Sequence, residues 1–508
     1  MKKAIALALS ILMLLSVLAG CSSPVKTPAA DAAAPSSAEK QTTAADEPVK
    51  LRLLMYGDNS ERRDEYFKNE FHDAVLEALN IDFSVEWLPW SDYSAGGTTI
   101  TNMLAAGEGF AFENITSLTD WHTRGYVAEI PVDEIEANMA EYLAMRGENN
   151  GFECCKYEGK IYCIPIGAKA YSGAHQSITV RNELLNEAGW DYTDIKTYDD
   201  FVAAIEAVKA LHPEMSVMRE NGSLCFALAS TLVDGWSLGE PIDDFVIVNE
   251  SEDGDTVYSY YESELFKQFA YLMQDWVARG WQTQDAIVNP GQTVADWNAG
   301  NTICMFGTPG NLIEQNVKAA FPDADLKNVK IGDQPYVKTR DYDWGISVSA
   351  GDAEHVGDWL RLINWIYKDE ATYNFCVYGV EGKDWERAGD GSITRLVSES
   401  FWDDWFLQAS CYIQYDKSIP QENIDQYLNY DEGSVISKAA GFAFDSSSVE
   451  TERALLSAVK TEYLDAMELG FLDYDTNYAD VQARLKEAGI DKYVAEYQRQ
   501  FSEWKAAQ

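Results

Sequence analysis

Twice along this chain a short apolar strand is followed by an amphipathic helix, and between the two runs the pattern stops and starts again. Leu51 to Tyr56 reads as a buried strand, and Asn59 or Ser60 is placed to cap a helix whose Phe67, Phe71, Val75 and Leu79 recur every four residues. Ile81, Phe83, Val85 and Trp87 then alternate as a half-buried strand does. A helical stretch at Asp92 to Ala106 and a strand at Phe112 to Thr116 continue the alternation, which predicts an open, largely parallel sheet with right-handed crossovers. A strand at Lys160 to Pro165 ends in Pro165 and Gly167. The same order resumes with Ser177 to Val180, a helix at Arg181 to Ala188 and a long helix at Tyr198 to Leu211. Such a restart predicts a second lobe, with Ile164 to Ala174 and Tyr342 to Ser347 as the segments that cross between lobes.

The N-terminus has an address of its own. Lys2 and Lys3 precede an apolar run from Ala4 to Leu18, the pattern of a secretory signal and short for a membrane span. The run ends in Leu18-Ala19-Gly20-Cys21, which looks like a bacterial lipobox with Cys21 as the lipid acceptor. Two acyl chains hold a protein on a bilayer where one lets it go. From Ser22 to Pro48 the chain has 19 Ala, Pro, Ser or Thr among 27 residues and no aromatic, so it reads as a disordered tether. The expected location is the extracellular face of the cell membrane, with lipid as the only membrane attachment.

Charge narrows the partners. Against 83 Asp and Glu stand 39 Lys and Arg, a formal charge of −44. Removal of Lys2 and Lys3 with the signal makes it 37 − 83 = −46. Such a surface repels phosphate backbones and anionic head groups, so nucleic acid is not an expected partner.

Motifs for chemistry are weak. Gly235-Trp236-Ser237-Leu238-Gly239 has the spacing of a nucleophile elbow, but Pro241 stands where its helix should run. Asn249, Ser251, Asp253 and Gly254 fit positions one, three, five and six of a calcium loop whose twelfth position, Tyr260, is not the required Glu; a solvated acidic turn is the alternative. Five His show no metal spacing, and neither Cys-x-x-Cys nor a phosphate-binding loop occurs. Seven cysteines remain after Cys21, and buried free thiols are the plain reading. A two-residue turn at Glu158-Gly159 would set Cys154 opposite Cys163, so a disulfide there stays open. No cofactor and no catalytic constellation is expected.

Several stretches together resemble the extracellular solute-binding lipoproteins (family 1) that feed ABC sugar importers in Gram-positive bacteria. They are Gly159-Lys160-Ile161-Tyr162-Cys163-Ile164-Pro165, Val180-Arg181-Asn182-Glu183-Leu184-Leu185, Thr197-Tyr198-Asp199-Asp200-Phe201, Tyr378-Gly379-Val380-Glu381-Gly382-Lys383-Asp384-Trp385, Gly441-Phe442-Ala443-Phe444-Asp445, and the tail from Leu485 to Gln500. Asn182 stands where an Asp is usual in that family, and Cys163 where an aliphatic residue or Met is usual. The resemblance implies an α/β, two-lobed periplasmic-binding-protein-like fold (type II) with the ligand cleft between lobes. Its expected parts are a signal peptide (1–20), the lipidated Cys and tether (21–48), lobe 1 (49–165 plus about 343–395) and lobe 2 (166–342 plus about 396–508). It implies a monomeric, non-enzymatic binding protein whose expected partners are a carbohydrate, with an oligosaccharide as the expected form, and ABC permease subunits. A surface glycoside hydrolase and an adhesin-like lipoprotein are the alternatives; the first would need two carboxylates roughly 5 to 9.5 Å apart, the second repeats or a wall-binding module.

Ligand sites favour the carboxyl ends of parallel strands and the space between domains. Sugar rings stack on Trp or Tyr, and Asp, Asn and Glu accept from hydroxyls. Trp90, Trp121, Trp236, Trp297 and Trp344, in expected loops beside Asp, Gly or Asn, are therefore the stacking candidates, with Asp58, Asp120 and Asp343 as acceptors. Trp276, Trp359 and Trp365 lie in amphipathic helices and are expected to pack. Glu381 reads equally as a ligand contact or a cap.

Overall fold

The structure is a computed structural model. It describes residues 47–506 except 58, 90, 93–96, 115–120, 123, 148–150, 158, 167–176, 218–243, 249–253, 283–291, 308, 315–316, 334–336, 339–344, 398–399, 403–405, 408, 431, 441 and 443.

Strand β1 (Val49–Tyr56) pairs parallel with β2 (Ile81–Leu88) along its whole length and with β3 (Ala111–Asn114) on its other side. Between β1 and β2 run α1 (Glu61–Tyr66), a π-helical turn at Phe67–Phe71 and α2 (His72–Leu79). Ser60 caps α1, its hydroxyl accepting from Arg63 N at 3.1 Å, which satisfies one of the donors a helix start leaves over. Asn80, in the left-handed conformation, ends α2. Helix α3 (Thr98–Ala105) leads from β2 to β3.

The hairpin of β4 (Lys156–Tyr157) and β5 (Lys160–Ile161) turns through two residues, as expected, and β6 (Ile164–Pro165) follows. The pairing does not reach Cys154: residues Phe152–Cys155 form a 3-10 turn, and Cys163 is a buried free thiol. The Cys154–Cys163 disulfide is therefore absent. The chain leaves after β6 and returns as β10 (Gly345–Val348), which inserts antiparallel between β3 and β6 to give the order β2-β1-β3-β10-β6. The sheet is largely parallel with one antiparallel strand inserted, because a chain returning from an excursion re-enters at the end where it left.

In the excursion, β7 (Ser177–Arg181) is flanked antiparallel by β8 (Cys304–Gly307) and β9 (Leu326–Val329). Helix α4 (Tyr198–Leu211) has the expected bounds, fixed at its start by a capping box between Thr197 and Asp200. Helix α5 (Glu264–Ala278) buries Phe266, Phe269, Met273 and Trp276, and in the first lobe α6 (Val356–Ile366) buries Trp359, Leu360 and Ile363.

Two large cores are separate in composition. One gathers Leu51 to Ile166, Ile346 to Ile393 and Phe401 to Ala409; the other gathers Ile178 to Ile331 and Ala439 to Phe501. These are the two lobes. The first core runs past residue 395, where the expected boundary lay: Phe401, Trp402, Phe406 and Leu407 close over Tyr66, Phe71 and Phe83. This segment adds its own aromatic rings to the core formed by α1, the turn at Phe67–Phe71 and β2.

Candidate functional site

The register of the first sheet sets five chain ends on one edge. Tyr56 lies opposite Leu88, Gly345 lies opposite both Asn114 and Pro165, and so the last residues of β1, β2, β3 and β6 meet the first residue of β10. The chain therefore leaves β1, β2, β3 and β6, and enters β10, along this one edge.

Glu113, buried near the end of β3, accepts from Tyr56 N at 2.9 Å and so joins the first and third strand ends. Gly57 continues β1, its N–H donating to Leu88 O at 2.9 Å. Its φ of 143° suits glycine, and a Cβ there would lie 3.5 Å from the Trp87 ring and 3.6 Å from Arg63 Nη1. Arg63 places its guanidinium 4.1 Å from the Trp87 ring centroid and donates from Nε and Nη2 to Phe401 O at 3.3 and 3.0 Å. A half-buried indole is thus held at the edge by a buried cation, and Arg63 ties that edge to the segment at 401. On the other side Gly97 caps α3, and a Cβ on it would come within 3.2 Å of Tyr56 Oη and 4.0 Å of Trp121. Asp92 accepts from Thr99 N at 3.0 Å and Thr99 Oγ1 at 2.7 Å, anchoring the loop after β2 to the start of α3.

Of the residues expected to hold a sugar, Asp58, Trp90, Asp120, Trp236, Asp343 and Trp344 lie outside the described residues, as does Cys21. Trp121 is 6% exposed and meets Phe112 edge-on at 5.0 Å in the small core under α3. Beside it His122 lies 4.1 Å from the rings of Tyr157 and Tyr162. Trp297 is 3% exposed among Leu312, Val317, Ala324 and Leu326. In this arrangement both indoles pack inward and offer no open ring face, which corrects the stacking role for them. Trp276 and Trp359 are core, as expected. Trp87, expected only as part of an alternating strand, is the last residue but one of β2 and so stands at the same edge.

Residues 249–253 of the calcium-loop candidate lie outside the described residues, and Tyr260, at its twelfth position, is buried in the second core. At Gly254 and Asp255 the cation is instead the Lys505 ammonium, which donates to Gly254 O at 3.0 Å and to the Asp255 carboxylate. Among the described residues no group of three or more His, Cys, Asp or Glu is placed to hold a metal.

A third crossing, expected near residue 395, lies further along the chain. Tyr415 O and Lys417 N pair with Ile393 of the first lobe at 3.2 and 3.1 Å. Four residues later α7 (Gln421–Leu428) is fastened to the second. Tyr192 donates to Glu422 at 2.7 Å, Lys327 reaches Glu422 at 2.8 Å and Asn423 at 3.0 Å, and Asn423 donates to Leu312 O at 3.2 Å. Burial works against the Lys327 charge, and Glu422 and Asp325 outweigh it, so its pKa is raised. The passage is confined to Ser418-Ile419-Pro420.

Three comparisons relate the chain to known proteins. Residues 438–506 match a family model described as a domain of unknown function (DUF3502). A Streptococcus pneumoniae serotype 4 (strain ATCC BAA-334 / TIGR4) protein named carbohydrate ABC transporter substrate-binding protein is 20% identical over 479 residues, covering 92% of this chain and 93% of its own length. The crystal structure of the N-glycan transport solute binding protein NgtS from Streptococcus pneumoniae superposes with a TM-score of 0.72 at 16% identity, over 90% of this chain and 98% of that one. Its complex with Man5GlcNAc gives 0.69 at 18% identity, over 91% and 99%. The chain therefore has the two-lobed fold of these solute-binding proteins.

Proposed function

We propose that this chain captures an oligosaccharide between its lobes and delivers it to an ABC importer. The observation that carries the reading is the likeness along nearly the whole chain to a protein named as a carbohydrate ABC transporter substrate-binding protein, together with the shared fold. The edge where five strand ends meet supports it, because it combines a half-buried indole, backbone ends and carboxylates beside the crossing segments. The protein sits at the extracellular face of the membrane through lipid on Cys21; no helix among the described residues is long and apolar enough to cross a bilayer. It binds its sugar without cleaving it.

A thermal-shift screen against neutral oligosaccharides tests this, since a ligand that binds only the folded state raises the melting temperature. The expected result is a concentration-dependent rise with at least one oligosaccharide, no new reducing ends after prolonged incubation, and release of a Cys21→Ser variant into the medium. A panel without any shift sinks the capture reading. Accumulating reducing ends would instead point to a hydrolase.

A further inference from the structure

Arg62 and Arg63 stand side by side on the first turn of α1, a few residues past the carboxyl end of β1, and both reach the segment 379–401. Arg63 donates to Phe401 O and lies on the Trp87 ring. Arg62 sets a fork on Asp384, with Nε and Nη2 at 2.8 and 2.7 Å from its two carboxylate oxygens, and its guanidinium lies 5.0 Å from the Phe401 ring centroid. The Asp384 side chain is 0% exposed. It also accepts from Val380 N at 2.8 Å and so closes the turn from Gly379 to Asp384. Gly379, with a φ of 84°, lets that turn lie against Phe401: a Cβ there would come within 2.2 Å of the Phe401 ring and 2.5 Å of the Asp384 carboxylate. Lys383 reaches Glu65 and Glu70 at 3.2 and 2.7 Å, which fastens the same turn along α1. Contacts thus run from Asp384 through Arg62 and Phe401 to Arg63 and the Trp87 indole.

We propose that Asp384, through Arg62, is a positioning residue for the Trp87 indole at the carboxyl edge; its bearing on sugar affinity rests on the capture role above, and its hold on the indole does not. A buried ion pair gives little net stability over apolar packing, whereas a bidentate fork admits one geometry. Without the fork, the first turn of α1 can shift against Phe401. Arg63 spans the two, and the plane on which Trp87 lies shifts with it.

The test is fluorine NMR on the full chain in detergent, labelled with 5-fluorotryptophan, with the Trp87 resonance identified by its loss in Trp87→Phe. Two variants are compared: Asp384→Asn, which keeps the shape and removes the charge, and Arg62→Lys, which keeps the charge and removes the fork. The expected outcome is a displaced or doubled Trp87 resonance in both, with that of Trp276 in the second core, identified in the same way, unmoved. A merely structural pair would lower the melting temperature and leave the Trp87 resonance of the folded protein in place. That result overturns the proposal, as does failure of both variants to fold. In calorimetry with the oligosaccharide that raises the melting temperature most, each variant should bind at least ~5-fold more weakly, and Asp384→Asn should add less than ~2-fold to the loss in Trp87→Ala, because a residue acting through the indole has no effect once the ring is gone. Additive losses overturn the proposal as well. If no oligosaccharide binds the unmodified chain, the capture role fails, while the resonance still decides whether Asp384 holds the indole.

Discussion

Truncating Trp297 to Ala removes a packed indole from among Leu312, Val317, Ala324 and Leu326, and should lower folding stability by roughly 3–5 kcal/mol with oligosaccharide affinity unchanged. Trp87 predicts the reverse. It is half-buried at the carboxyl edge, so Trp87→Ala should weaken binding on the order of 2 kcal/mol, and Arg63→Lys should weaken it less, because an ammonium loses the stacked fork that positions the ring. Calorimetry beside a melting curve separates the two effects. Normal affinity in Trp87→Ala would remove Trp87 from the site. Neighbours in sequence could not make this distinction: Trp297 sits beside Asp296 and Asn298, yet its ring faces inward. Glu468 supplies a pH prediction. Burial pushes its carboxyl up to about 7, nearby Asp465 and Asp244 add to that, and Lys460 and a hydrogen bond from Tyr261 oppose it. A folded-state value above the unfolded one means that stability is greatest below the ordinary Glu range and declines as pH rises through about 7. The loss should be on the order of 2 kcal/mol, since the residue keeps some exposed surface. Glu468→Gln should flatten the melting-temperature profile between pH 5 and 8 if that assignment holds; an identical slope in the variant rules it out.

Elements with a strong local period were legible from the sequence. Tyr198–Leu211 came out with its bounds because Thr197 and Asp200 close a capping box and Phe201, Ile205 and Val208 repeat on one face. The alternation from Ile81 to Trp87 likewise marked β2. Elements fixed by distant partners were not legible. Phe67 and Phe71 keep helical spacing, yet the turn between them widens to π, and Phe71 packs against Trp402, more than 300 residues away. Antiparallel β10 has no local mark of direction; its pairing with β3 and β6 follows from the path of the excursion. The clamp on α7 is of the same kind, with Lys327, Glu422, Asn423 and Tyr192 drawn from three separate segments. Removing the buried ammonium leaves Asp325 and Glu422 facing each other uncompensated. Lys327→Met should therefore cost about 1–3 kcal/mol, less than a fully buried pair because Glu422 is about half exposed. Urea denaturation measures it, and a loss below 0.5 kcal/mol would show that α7 is held by packing alone.

For the whole molecule, delivery of a sugar requires that the lobes open and close, and the number of crossings decides how. Two adjacent segments leave and re-enter the first sheet where Pro165 pairs with Gly345, so their motions are coupled at the source. The third crossing is only Ser418-Ile419-Pro420, firm on one side through Ile393 and on the other through α7. A hinge needs only a few residues to absorb the backbone change, and a passage this short between two anchored ends should set the axis about which the lobes turn. Small-angle scattering should show a smaller radius of gyration at saturating oligosaccharide. Inserting three glycines after Ser418 doubles the passage, which by loop entropy costs about 0.6 kcal/mol, or roughly threefold in affinity. The melting temperature should stay near that of the unmodified chain, while the free protein samples a wider range of openings and its scattering curve shifts toward larger dimensions. Loss of folding on insertion would mean that residues 418–420 carry structure across the two lobes, and an unchanged free-state curve would leave the axis to the paired segments at Pro165 and Gly345.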